Sequence, residues 1–248
     1  MPEAARPLVL VTRPREESEE LARRLGALGY DTLVEPLLDI VPRAVELPPL
    51  ELYTGLVFTS ANGARAFAKL SPTRRLPSYA VGAATATALH GLGFQDVRTG
   101  PGEADGLAAL IAREQPAGTR FLHLSGTTIA RDIAGSLAHA GIQVDRLALY
   151  EAVPSMRFSP AFVTALYACT VRVVLFFSGR TAETFGIVAG QMAVTERCCS
   201  MAALCLSQRV ADKAAALPWA RIAVAPEPTE DALLSLLPAP PPIGRNNG

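Results

Sequence analysis

Short apolar runs alternate with amphipathic stretches along most of the chain. The runs "LVLV" at Leu8–Val11, "LVF" at Leu56–Phe58, "FLHL" at Phe121–Leu124 and "VVLFF" at Val173–Phe177 are strand-sized and bounded by polar residues. The stretches between them carry the helical period. After the first run, Leu21, Leu25 and Leu28 fall on one face, and Glu16, Glu17, Glu19 and Glu20 crowd the early turns, where acid suits the helix dipole. Gly29 then reads as the residue that ends the helix, before another strand. Strand and helix in alternation predict an α/β fold with parallel sheets.

The alternation repeats at a larger scale. The unit Pro7–Ile40 (strand, polar turn, helix, strand) recurs as Arg120–Pro154. "LVFTSANGARAF" at Leu56–Phe67 recurs as "VLFFSGRTAETF" at Val174–Phe185, with Ser60 over Ser178. A third unit, Ser78–Ile111, recurs as Ser200–Leu237, each with a Pro-containing loop before its last helix. Three units in the same order, offset by roughly 112 to 122 residues, point to a duplication. The repeat by itself would divide the chain near Gln115–Gly118. The tail from Pro238 is Pro-rich, with too few apolar residues to anchor it, and is expected to be disordered.

Composition narrows the class. The 248 residues suit one large or two smaller domains. Lys plus Arg and Asp plus Glu both number 23, so the basic excess of a nucleic-acid binder is missing. No apolar run is long enough for a transmembrane helix, and no signal-peptide core precedes the first strand, so a cytoplasmic protein without membrane contact is expected. Cys169, Cys198, Cys199 and Cys205 lack zinc-site spacing and read as free, mostly buried thiols in a reducing compartment.

The chemistry then has to sit in the turns. In open α/β sheets ligands bind beyond the carboxyl ends of the strands. Six turns fall there: Thr12-Arg13, Thr59-Ser60-Ala61-Asn62, Gly82-Ala83-Ala84-Thr85, Ser125-Gly126-Thr127-Thr128, Ser178-Gly179-Arg180-Thr181 and Leu206-Ser207-Gln208. Two readings apply to each. The hydroxyl residues cap helices, or the helix N-termini hold an anion through backbone N–H groups and partial positive charge. Six such ends would cradle an acidic ligand without surplus Lys and Arg. No dinucleotide or P-loop glycine pattern, nucleophile elbow, CxxC or HExxH is present. His123, inside an apolar run, reads as a core residue; His90 and His139, late in helical patterns, read as exposed. An enzyme built this way would act by holding and folding its substrate.

Taken together, "VLVTRP", "VFTSANGARAF", "YAVGAATATAL", "HLSGTTIARDIAGSLAHAGIQVDRLALYEAV", "VLFFSGRTAETF" and "PEPTEDALLSLL" resemble uroporphyrinogen-III synthase, from about Leu8 to Leu237. The resemblance implies two flavodoxin-like α/β domains with parallel sheets, joined by a two-stranded connector around a cleft. The domains would interleave: residues 1–36 with 153–237, and residues 37–152, with the tail 238–248 beyond. It implies a cofactor-free, metal-free lyase that closes hydroxymethylbilane and inverts ring D. Loss of the ring A hydroxyl would give an azafulvene, and ring D would attack through its substituted carbon to form a spiro intermediate that fragments and recombines. The eight carboxylates of that substrate match the cradle read from the turns.

For residues, the resemblance implies a catalytic Tyr150. Substrate binding is expected at the turn residues Thr12, Arg13, Ser60, Ala61, Asn62, Thr85, Ser125, Gly126, Ser178, Gly179, Arg180 and Ser207, of which the resemblance itself matches Thr85 and Ser207. The family's last turn usually reads Gly-Pro-Thr-Thr, and here Cys205-Leu206-Ser207-Gln208 departs from it. A monomer is expected, and a transient contact with the preceding pathway enzyme would shield an unstable substrate. A non-catalytic two-lobed sensor of a small polyanion is the alternative reading.

Overall fold

The computed structural model describes residues 6–129 and 131–239. In chain order the elements are β1 (Leu8–Val11), α1 (Arg15–Ala27), β2 (Asp31–Val34), β3 (Leu38–Pro42), β4 (Gly55–Phe58), α2 (Ala61–Leu70), β5 (Ser78–Ala80), α3 (Ala83–Gly91), β6 (Val97–Thr99) and α4 (Ala104–Glu114). There follow β7 (Arg120–Gly126), α5 (Ile133–Ala138), β8 (Gln143–Pro154), α6 (Pro160–Tyr167), β9 (Val171–Phe176), α7 (Gly179–Gln191), β10 (Ala202–Cys205), α8 (Gln208–Ala214), β11 (Arg221–Val224) and α9 (Glu230–Leu234). No helix among the described residues is long and apolar enough to cross a membrane.

The chain divides into two compact units. One takes the described residues up to Asp39 and from Val153 onward; the other is Ile40–Ala152 and runs through Gln115–Gly118 without a break. The first unit holds a five-stranded sheet in the order β11-β10-β9-β1-β2, every neighbouring pair parallel. Successive side chains point to opposite faces, and the core divides accordingly. Leu10, Val174, Phe176, Ala203 and Cys205 pack on one side of the sheet. Val9, Val11, Val173, Leu175 and Leu204 pack on the other. Burial on both faces is what unbroken apolar strands require. Phe158, Phe162, Phe176, Phe185 and Trp219 stack at centroid distances of 4.8 to 5.9 Å and fill the first of these cores.

The second unit is built on the order β8-β7-β4-β5-β6, again parallel throughout, with β3 added beside β8. Here Leu56, Phe58, Leu122 and Leu124 face one core, and Val57, Tyr79 and Phe121 the other. The β3–β8 pair runs antiparallel. Ser155 N–H donates to Leu37 O at 3.0 Å and Arg43 N–H to Leu149 O at 2.9 Å, so one strand's numbers rise as the other's fall. The chain passes between units within these two strands, after Asp39 and after Ala152.

Two details depart from the sequence pattern. The strand expected after α1 is broken: β2 stops at Val34 and β3 starts at Leu38. The break contains Pro36 and the buried Glu35, which is 3% exposed and turned toward α6. Its carboxylate accepts the Ser159 N–H at 2.8 Å and a short bond from the Ser159 hydroxyl. The second departure is that Cys169 and Cys199 are exposed, leaving two of the four free thiols buried. Of the tail, Pro238 is tied by its carbonyl to the Tyr30 hydroxyl at 2.7 Å. Residues 240–248, with the disorder expected of them, lie outside the described residues.

The ends of α1 and α7 share one design. After α1, Gly29 takes φ 88° and Tyr30 N–H reaches back to Leu25 O at 3.1 Å. After α7, Val194 N–H makes the same bond to Ala189 O at 2.9 Å, but the left-handed position is Ala193, φ 54°. That conformation crowds a Cβ by roughly 1–2 kcal/mol. Ala193→Gly is therefore expected to raise stability by about 0.5–1 kcal/mol, read as a higher urea midpoint at unchanged slope. At Glu35, burial raises the carboxyl pKa above its ordinary value, against the Ser159 bonds that lower it. The stability tied to its neutral form is full in acid and is lost as pH rises through the folded-state pKa. Glu35→Ala should cost about 1–3 kcal/mol at pH 7, since it strands the Ser159 donors. Glu35→Gln should cost less, with a deficit that shrinks as pH rises. A deficit that grows with pH in urea titrations would contradict this account.

Candidate active site

The carboxyl ends of β4 and β7, together with β8, hold two pairs of polar side chains in the second unit, Ser60 with Tyr150 and Ser125 with Arg146. β4 is buried along its whole length and delivers the chain to Thr59 and Ser60. Ser60 is the N-cap of α2: its hydroxyl accepts the Gly63 N–H at 3.0 Å. The same oxygen lies 2.8 Å from the Tyr150 hydroxyl, brought in by β8. Gly63 is needed there because a Cβ would come within 2.6 Å of the Leu124 carbonyl oxygen, so α2 sits directly on the β7 backbone.

β7 contributes from the other side. The Ser125 hydroxyl is buried, donates to Gly126 O at 3.0 Å and accepts from Arg146 Nε at 2.9 Å. The Arg146 guanidinium also donates through one nitrogen to Gly126 O and Thr127 O, both at 2.6 Å. It thus holds the end of β7 by three bonds. The register shifts between Ser125 and Gly126, so that Gly126 pairs with Tyr150, and Thr127 N–H donates to Tyr150 O at 2.9 Å. Tyr150 itself is 8% exposed.

His123 lies behind this group. It is 2% exposed, and its Nε2 is 3.0 Å from Thr59 Oγ1. Burial first, and then the nearby Arg146 charge, lower its pKa from 6.5 to about 4. It is neutral at physiological pH, as befits a core residue, yet it braces the turn that carries Ser60. His90 and His139 are exposed.

The remaining turns have distinct characters. Thr85 is buried in the first turn of α3, whose N-cap, Gly82, has no side chain to offer. In the first unit Ser178 caps α7 through the Thr181 N–H at 3.1 Å, and its hydroxyl is 2.7 Å from Thr181 Oγ1. Gly179 and Arg180 open that helix, both half-buried. Ser207 occupies the N-cap of the seven-residue α8 but makes no side-chain cap bond. Thr12 is fully buried, and its hydroxyl donates to Leu175 O at 2.7 Å, tying β1 to β9. Arg13 faces acids: Nε to Glu17 at 2.8 Å and Nη1 to Glu230 at 2.9 Å, with Phe177 under its guanidinium at 4.4 Å. Asn62 Oδ1 accepts from Arg65 at 3.3 Å, beside Ala61 at the start of α2.

The turn at Ser125–Thr128 corrects the sequence picture. It was expected to open a helix; instead β7 runs on through Gly126 and α5 begins only at Ile133. The Arg146 side chain and the bulge opposite Tyr150 satisfy the backbone there, so no helix N-terminus faces that point. Arg146 is the residue that turn-based reasoning passes over. The period of two in β8 does not reveal it: the bulge opposite Ser125 and Gly126 shifts the phase, so that Tyr150 packs in the core with Leu147 and Leu149, while Arg146 is registered beside His123. Among the described residues no cluster of His, Cys, Asp or Glu could hold a metal ion.

A family model described as uroporphyrinogen-III synthase HemD matches residues 19–235. The chain belongs to the uroporphyrinogen-III synthase family. Among curated relatives, the synthase of Chlorobaculum parvum is 31% identical over 161 residues, an alignment spanning 59% of this chain and 64% of that protein. The synthase of Salmonella typhimurium is 30% identical over 252 residues, 92% of this chain and 99% of its own. The crystal structure of the Helicobacter pylori enzyme aligns with a TM-score of 0.61 at 20% identity, covering 93% of this chain and 97% of that one, and it shares the fold.

His123 supplies a test with a definite sign. Its folded-state pKa is depressed, so its contribution to stability is present above pH 6.5 and lost as pH falls toward about 4. Between pH 7.5 and 4.5 this amounts to roughly 2–3 kcal/mol. His123→Gln should lose less stability than the parent over that interval in urea melts. Parallel losses would mean that the buried imidazole titrates normally.

Proposed function

We infer that this chain closes linear hydroxymethylbilane to uroporphyrinogen III, with inversion of ring D and loss of water, as a cyclising lyase of porphyrin biosynthesis. The family match across residues 19–235 carries the inference. The alternative of a sensor without turnover is not favoured, because the curated relatives are named as synthases over nearly their full length.

The chemical demand is orientation. Closure without inversion needs no enzyme, so the site must hold ring D where attack through its substituted carbon is faster. We assign the Tyr150 hydroxyl the role of acid. A proton given to the departing ring A hydroxyl releases water. A proton lost when ring D regains its aromatic pyrrole restores the donor, so the protons balance. The carboxylates of the substrate are assigned to the first-turn amides of the longer helices. These are Ser60, Ala61 and Asn62 at α2, Thr85 at α3, and Ser178, Gly179 and Arg180 at α7, where backbone N–H groups lack intrahelical acceptors. Ser207 contributes at α8. Thr12 and Ser125, whose hydroxyls are committed to main-chain oxygens, act from behind, with Arg13 and Gly126 beside them.

We further propose that β3 and β8 are the connector between two domains. Handover from the enzyme that makes the unstable bilane, by transient contact, fits the same reading. A monomer acting in the cytoplasm is consistent with four free thiols.

The decisive assay supplies hydroxymethylbilane generated in situ, oxidises the products and separates the porphyrin isomers. Isomer III in excess over an enzyme-free control is expected. Tyr150→Phe should lower kcat by roughly 10²-fold, the low end for loss of a general acid. Thr85→Ala should act mainly on KM. Isomer I alone from folded protein would overturn the reading.

A further inference from the structure

The duplicated turns at Ser60 and Ser178 are not equivalent, and the difference assigns a role to one of them. Each serine caps its helix through the N–H three residues on. At the first unit's turn the residue three on is Thr181, whose hydroxyl lies 2.7 Å from Ser178 Oγ. That cap is closed within its own helix. At the second unit's turn the equivalent residue is Gly63, which has no side chain to offer and no room for one beside Leu124 O. A serine hydroxyl has one proton and two lone pairs. Gly63 N–H takes one lone pair of Ser60, and what remains is directed to Tyr150 at 2.8 Å.

The opposite flank of Tyr150 is equally constrained. A Cβ on Gly126 would lie 2.9 Å from both Cε2 and Cζ of the Tyr150 ring and 3.2 Å from its hydroxyl oxygen. Real Cβ atoms do not approach that closely, so the hydroxyl end of the ring lies against the bare Gly126 backbone. Thr127 N–H fixes the main chain of the same tyrosine. The phenol is therefore located by a helix N-cap on one side and by a missing side chain at the end of β7 on the other.

We propose that Ser60 and Gly126 are positioning residues for Tyr150, and that the first unit's matching turn has no such task. The proposal rests on the reading of Tyr150 as the residue that acts on substrate. It gives Ser60 and Gly126 a second role beside any contact of theirs with carboxylates.

The test is a double-mutant cycle on the full chain, measuring kcat and KM for isomer III together with urea stability. Ser60→Ala should lower kcat roughly tenfold with KM changed less than about twofold, and Ser60→Thr should recover most of the loss. In the Tyr150→Phe background the same Ser60→Ala change should cost less than about twofold, because the hydroxyl it positions is gone. Thr229→Ala, which removes the cap of α9, shows how a cap loss alone affects the assay. If Ser60→Ala does not fold, Ser60→Gly replaces it, since glycine is tolerated at an N-cap and removes the hydroxyl. Gly126→Ala should behave as Ser60→Ala does, with its loss absorbed by Tyr150→Phe. Equal losses in both backgrounds would overturn the inference while leaving Tyr150 in place. An unimpaired Tyr150→Phe enzyme would instead remove the reading on which it rests, and the inference with it.

Discussion

The pairing of β1 with β9 holds the discontinuous unit together. β1 is four residues long and lies between β2, its neighbour in sequence, and β9, more than 150 residues away. Leu8 to Val11 run beside Val171 to Leu175, and the Thr12 hydroxyl closes the end of the pair on Leu175 O. Remove that contact and α1, β2 and the break at Glu35 have no sheet to belong to. Closing so long a segment costs only logarithmically in its length, and the intervening residues form a compact unit of their own, which shortens the effective loop. The strand is apolar on both faces because both faces are covered, and this is also why its sequence reads as an unbroken run.

The second unit depends on close backbone approach in the same way. Gly63 lets α2 rest on β7, and Gly126 lets the Tyr150 ring rest on the end of β7. Each glycine acts by the absence of a side chain. Ser60 is placed by the first approach and Tyr150 by the second, so the hydroxyl pair follows from two packing constraints rather than from polar design alone. Arg146 then binds the carbonyls that the bulge would leave open.

Much of this was legible in the sequence. The apolar runs and the repeat order gave strand and helix identity, because period and length are local properties. The serine turns were recognisable because capping is local too. The broken strand at Glu35–Leu37 was not legible: it depends on a carboxylate finding Ser159 across a long stretch of chain. Nor was the delayed start of α5, where hydroxyl residues that pattern as a helix cap are bonded sideways by an arginine of the next strand. The different fates of Ser60 and Ser178 could be suspected from Gly63 against Thr181, but only the register of β7 with β8 brings Tyr150 to the gap.

The interleaved order has a consequence for biosynthesis. As the chain emerges from the ribosome, β1 appears before its partner β9, which follows about 163 residues later, the spacing between Thr12 and Leu175. At roughly 5–20 residues per second that is a wait on the order of 10–30 s. During it the middle unit has all its strands and can complete itself, while an apolar strand with one unsatisfied edge trails from its start. The nascent protein therefore passes through a stage in which Leu8–Val11 has been made but its partner strand has not, and that apolar edge is the part of the core most in need of cover.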